Sequence, residues 1–100
     1  MEGSVEQPVH LRLMADYAAD PVWTDEGMAD LEYLPISPRL RDDLREWARE
    51  WELILGPTFE VREKDRYRRW LAVGRRHALD LQKELGPTFG VEYWHEREEV

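Results

Sequence analysis

SPRLRDDLREWAREWELILGPTF, Ser37 to Phe59, is the stretch whose reading decides the fold. Ser37 is an N-cap residue and Pro38 suits the first helical position, because its missing N–H would have no partner there anyway. Leu40, Leu44, Trp47, Ala48, Trp51, Ile54 and Leu55 then recur every three or four residues, which makes one apolar stripe along a helix. Gly56 stands where a helix commonly ends in the left-handed conformation, and Pro57 stops it. The five letters LGPTF return at Leu85–Phe89. That second copy closes another helical pattern, from about Glu63 to Leu85, with Tyr67, Trp70, Leu71, Gly74, Ala78, Leu81 and Leu85 on one face. Both copies therefore read as helix ends. A phosphate loop would precede a helix and offer amide groups, whereas these follow helices and present carbonyls. Gly74, a gap in the apolar face, marks the expected crossing with the first helix.

Outward from the helices, VHLRLMADY (Val9–Tyr17) alternates apolar and polar residues and reads as a half-buried strand. TFGVEYWHE (Thr88–Glu96) alternates Phe89, Val91 and Tyr93 with Gly90, Glu92 and Trp94 and reads as a second. Between the first strand and the first helix, residues 18–36 show neither period, a length at which loops are usually functional. Two strands alone make a marginal sheet, so a third from this loop, or pairing with another copy, is expected. The expected fold is α+β: a small antiparallel sheet against two antiparallel helices, in the order strand, loop, helix, helix, strand. Residues 1–100 form one domain in this reading, with 1–8 and 96–100 as flexible ends.

The chain has 100 residues, enough for one modest core, and five of them are Trp. It has no Cys, which excludes disulfides, thiolate catalysis and Cys-ligated zinc, and fits a reducing compartment. No signal peptide or membrane-spanning run is read at the N-terminus, so a cytoplasmic location is expected. Net charge is −8, unevenly spread: twelve acidic and five basic residues give 1–50 a charge of −7, while eight basic against three acidic give 62–83 a charge of +5. An acidic chain with one basic helix is not expected to bind nucleic acid or a membrane surface.

Ala15–Tyr17 (ADY), Pro21–Trp23 (PVW), Leu34–Ser37 (LPIS), the spacing of Gly74 and Ala78, and Glu84–Gly86 (ELG) followed by Val91 and Tyr93 together resemble an uncharacterised family of small acidic bacterial proteins. The resemblance covers about Leu11 to Tyr93. It implies a bacterial, intracellular one-domain protein and brings no catalytic residue or cofactor.

Candidate sites follow from residue type. His10, His77 and His95 have no metal-ligand spacing and are expected to be surface histidines, so neither metal nor cofactor is expected. His10 and His95 would approach each other only across antiparallel strands. Asp16, Asp20, Asp25 and Asp30 cluster in and before the long loop, but no nucleophile motif accompanies them and catalysis is not expected. Asp16, Tyr17, Trp23 and Trp94 form an aromatic and acidic set that reads either as a small core under the loop or as a recognition patch. Arg62, Arg69, Arg76 and Lys83 lie seven apart in one row on the second helix, either a solvated face or a docking stripe.

The function expected from these features is a non-catalytic binding protein whose acidic surface engages a basic macromolecular partner, of which a toxin-neutralising immunity protein is one concrete version. The alternative is a small-molecule enzyme or ligand-binding domain, with a pocket between the long loop and the helix pair. Open strand edges at the chain ends add the expectation of a homodimer.

Overall fold

A computed structural model describes residues 7–54 and 64–95 of the chain. The fold is α+β: strands β1 (Val9–Leu13), β2 (Val22–Thr24) and β3 (Gly27–Met28), helices α1 (Pro38–Ile54) and α2 (Lys64–Leu85), and strand β4 (Phe89–Tyr93). The order of elements is the expected one, and the long loop supplies two short strands. Alternation sets β1: Leu11 and Leu13 are buried, while His10 and Arg12 face the uncovered side. The β2–β3 turn needs Gly27, whose φ of +135 few other residues adopt, and Thr24 Oγ1 ties it by donating to the Gly27 carbonyl.

The four strands form one sheet in the order β3-β2-β1-β4. It is mixed, which corrects the wholly antiparallel expectation: β1 pairs antiparallel with β2 but parallel with β4, in the register Leu11↔Val91 and Leu13↔Tyr93. Residues 29–37 are the reason. They carry the chain from the end of β3 back to the end of the sheet where β1 begins, so α1 and α2 run out and back and β4 starts beside Val9. Two contacts fix this arrangement: Ser37 N–H and Oγ donate to the Glu84 carboxylate at 2.6 and 3.0 Å, and Val9 N–H donates to Thr88 O at 2.8 Å. Parallel pairing also separates His10 from His95, at opposite ends of the strands.

Helix ends behave as the residue types require. Ser37 Oγ accepts from Leu40 N–H, and Asp30 caps a 3-10 turn over Leu31–Tyr33 by accepting from Glu32 N–H. Gly86 ends α2 with φ +79 and its N–H donates to Gln82 O. The first LGPTF, with Gly56 and Pro57, lies outside the described residues, as do Arg62, 96–100 and residues 1–6 of the N-terminus.

One core runs between the sheet and the helices, with Leu11, Leu13, Val22, Leu31, Leu44, Leu81 and Trp70 at its most buried points. Gly74 is buried at the helix crossing as expected, but side chains fill the gap rather than the backbone of α1. A Cβ there would lie 2.5 Å from Trp47 Cζ2 and overlap the Tyr93 hydroxyl, which donates to Leu71 O at 2.8 Å.

Candidate functional site

Trp47 and Trp70 join the two helices. Their rings stack 4.3 Å apart at 2°, and each indole N–H donates to the other residue's backbone carbonyl, at 3.0 and 2.8 Å. Burial of an indole requires a partner for its N–H, and this exchange satisfies both. Trp51 stacks on Trp70 and Tyr67 lies beside both, so four aromatics hold the seam.

His95 completes this centre. It was expected at the surface, but it is 1% exposed, and its Nε2 accepts from Ala15 N–H at 3.0 Å. That bond uses the Nε2 lone pair and so requires the proton of the neutral ring on Nδ1. Trp70 and Trp94 meet the imidazole edge-on, at 4.8 and 5.1 Å. The sequence held a signal for this: one more step of the Val91, Tyr93 alternation points position 95 inward.

Four of the sequence-predicted residues converge on the turn after β1. Asp16 and Tyr17 lie in that turn, and the Asp16 carboxylate accepts from Tyr17 N–H. Trp23 donates from Nε1 to Met14 O at 2.9 Å, and Trp94 abuts His95, which holds Ala15. Trp23 and Trp94 are half-buried, whereas Asp16 is exposed and Tyr17 is 41% exposed. Small core and exposed patch are thus both present at one end of the sheet.

The loop carboxylates do not form a paired acid-base set. Asp20 pairs with Arg45 at 3.3 Å, Asp25 binds His10 Nδ1 at 2.9 Å, and Asp30 is the cap already described. His10 is held on its other side by Glu92, also at 2.9 Å. Hydrogen bonds to Asp25 and then Glu92 raise its pKa above 6.5. Near the loop, Ala18, Asp20, Met28, Arg45 and Glu52 line an open depression of about 310 Å³; Tyr17 and Trp23 are not among its walls. Among the described residues, no three His, Asp or Glu side chains come together as metal ligands.

The described part of the basic row lies on α2. Arg69, Arg76 and Lys83 are exposed along α2, and Arg76 reaches Asp80 at 3.9 Å. Arg69 lines a groove of about 450 Å³ between α1 and α2, on the side away from the sheet. One bank is acidic, with Asp43, Glu46 and Glu50 at helical spacing on α1. The other bank is Arg69, Val73 and His77 on α2, and the edges of Trp47 and Trp70 make the floor. Glu50 pairs with Arg66 at 3.6 Å. Asp43 and Glu46 make no ion pair or hydrogen bond with a described residue. His77 Nδ1 is buried with no hydrogen-bond partner among the described residues, and desolvation lowers the ring's pKa below 6.5 against the opposing pull of Asp43 and Asp80. Sequence reading passed over this groove because its acids flank the apolar stripe of α1 and look like ordinary solvated positions.

No helix among the described residues is long and apolar enough to cross a membrane. Residues 9–96 match a family model described as Serratia CdiI immunity protein-like. No curated protein matches the chain.

Proposed function

Because the chain belongs to the Serratia CdiI immunity protein-like family, we propose that it is a toxin-neutralising immunity protein that acts by binding a basic protein toxin, without catalysis of its own. The observation that carries this reading is the family match, which spans the sheet, both helices and β4. Net charge of −8 supports a basic partner, since opposite potentials speed encounter and reject like-charged competitors. Neutralisation takes place in the cytoplasm in this proposal, by one chain per toxin, and needs no cofactor, nucleic acid or membrane.

The test is co-expression with the product of the adjoining gene. Relief of that product's growth arrest, together with a stoichiometric complex of the two purified proteins, is the expected result. Growth arrest that persists, with no complex at low salt, would overturn the reading.

A further inference from the structure

Building on the toxin-binding reading, we propose that the end of the α1–α2 groove formed by Asp43, Glu46 and His77 receives an arginine side chain of the toxin. Its two carboxylates share a shortage of donors. Asp43 and Glu46 are carboxylates without a hydrogen-bond or ion-pair partner among the described residues, three positions apart and so on neighbouring points of one helix face. His77 lines the groove with them as a half-buried ring, and its Nδ1, turned inward, has no hydrogen-bond partner among the described residues. Ionised carboxylates only accept hydrogen bonds, and a neutral imidazole keeps one lone pair. Desolvation of His77 favours that neutral ring.

A guanidinium is the complement of this set. It donates five N–H bonds in a planar fork, accepts none, and stays charged at every relevant pH. The fork bridges two carboxylates spaced along a helix, which the single charge centre of a lysine does less well. Val73, 46% exposed on the opposite bank, offers an apolar surface to the methylene stem. Glu50 is already paired with Arg66 at 3.6 Å, which leaves Asp43 and Glu46 as the groove carboxylates without an ion pair among the described residues. Cavity volume of about 450 Å³ accommodates one such side chain with the backbone that carries it.

Two arms test the proposal. In the first, a hexa-arginine peptide is titrated into the wild-type chain, into the double variant D43N/E46Q, and into D42N/E26Q, which removes the same charge at exposed positions outside the groove. The expected result is about tenfold weaker binding for D43N/E46Q and under about twofold for D42N/E26Q, with the His77 ring nitrogens shifting on binding to wild type. Equal weakening in both variants means diffuse attraction to an acidic protein and overturns the proposal, as does no weakening in either. In the second arm, the toxin from the adjoining gene is titrated into wild type and D43N/E46Q. Loss of about tenfold in affinity supports the groove, whereas equal binding sinks the groove and leaves the toxin reading intact. Failure of wild type itself to bind that toxin sinks the toxin reading.

Discussion

At the scale of single residues, Gly74 shows how a missing side chain is used. Its buried position on α2 admits the edge of Trp47 and the Tyr93 hydroxyl, so any Cβ must displace groups that are themselves hydrogen-bonded. Gly74→Ala gains helix propensity of about 1 kcal/mol, but overpacking of about 1–3 kcal/mol opposes it and wins because both neighbours are pinned. The expected outcome is a lower urea midpoint at an unchanged slope; an unchanged midpoint would show that the seam yields. The two titrating histidines outside the core pull stability in opposite directions. His10 has its folded pKa raised by Asp25 and Glu92, so its contribution is fully present below pH 6.5 and is lost as pH rises through the raised value. His77 has its folded pKa lowered by burial, so the unfolded state takes up its proton first and stability falls as pH drops below 6.5. Proton titration by NMR should place His10 above 6.5 and His77 below it. The reverse order would mean that the Asp25 and Glu92 contacts do not persist in solution.

At the scale of elements, the free edge of β4 is closed by a side chain from the last turn of α2. Gln82 donates from Nε2 to Phe89 O at 2.7 Å and to Gly86 O at 3.1 Å, while its Oε1 accepts from Val91 N–H at 2.8 Å. The side-chain amide thus stands in for a neighbouring strand. The homodimer expectation rested on an open edge here, and the groups it needed are already paired at Phe89 and Val91. The other edge, β3, is two residues long and offers little to a second copy. Wild type is therefore expected to scatter light as a single chain across a concentration series. Gln82→Ala should lose about 1–2 kcal/mol of stability and gain a concentration-dependent mass, because its edge groups seek new partners. A variant that stays monomeric would show that the clamp is not what protects the edge.

The same elements mark how far sequence carries. Both helices were legible because Leu40 to Ile54 and Tyr67 to Leu85 bury one long face each, and a pattern repeated over four turns or more survives local exceptions. β1 and β4 were legible from alternation. β2 and β3 were not, since three and two residues give no period, and their position depends on pairing with β1 rather than on their own composition. Parallel pairing was equally hidden. It follows from the path of residues 29–37, which Arg41 in the first turn of α1 holds by donating to Leu31 O and Ile36 O, contacts that no apolar period records. The aromatic and acidic set at Asp16, Tyr17, Trp23 and Trp94 was found as a set, whereas the groove was missed because it exists only once α1 and α2 cross.

At the scale of the whole molecule, charge makes a prediction that no single contact makes. Eight net negative charges on so small a body produce a potential that extends about one Debye length, roughly 8 Å at physiological salt. On the proposed reading, a basic toxin approaching such a surface is drawn in before any side chain touches, so the association rate should exceed the rate of a neutral pair and fall steeply with salt. Dissociation should respond less, because groups buried in a formed complex are poorly screened. Stopped-flow association with the toxin it is proposed to neutralise, at about 50 and about 500 mM salt, separates the two: the rate of association is expected to fall by at least about tenfold and the rate of dissociation by far less than that. An association rate indifferent to salt would place the binding surface away from the acidic residues, at a face where apolar contact rather than charge selects the partner. The turn at Asp16 and Tyr17 would then be the surface to mutate first, because Tyr17 is the exposed aromatic of that end of the sheet.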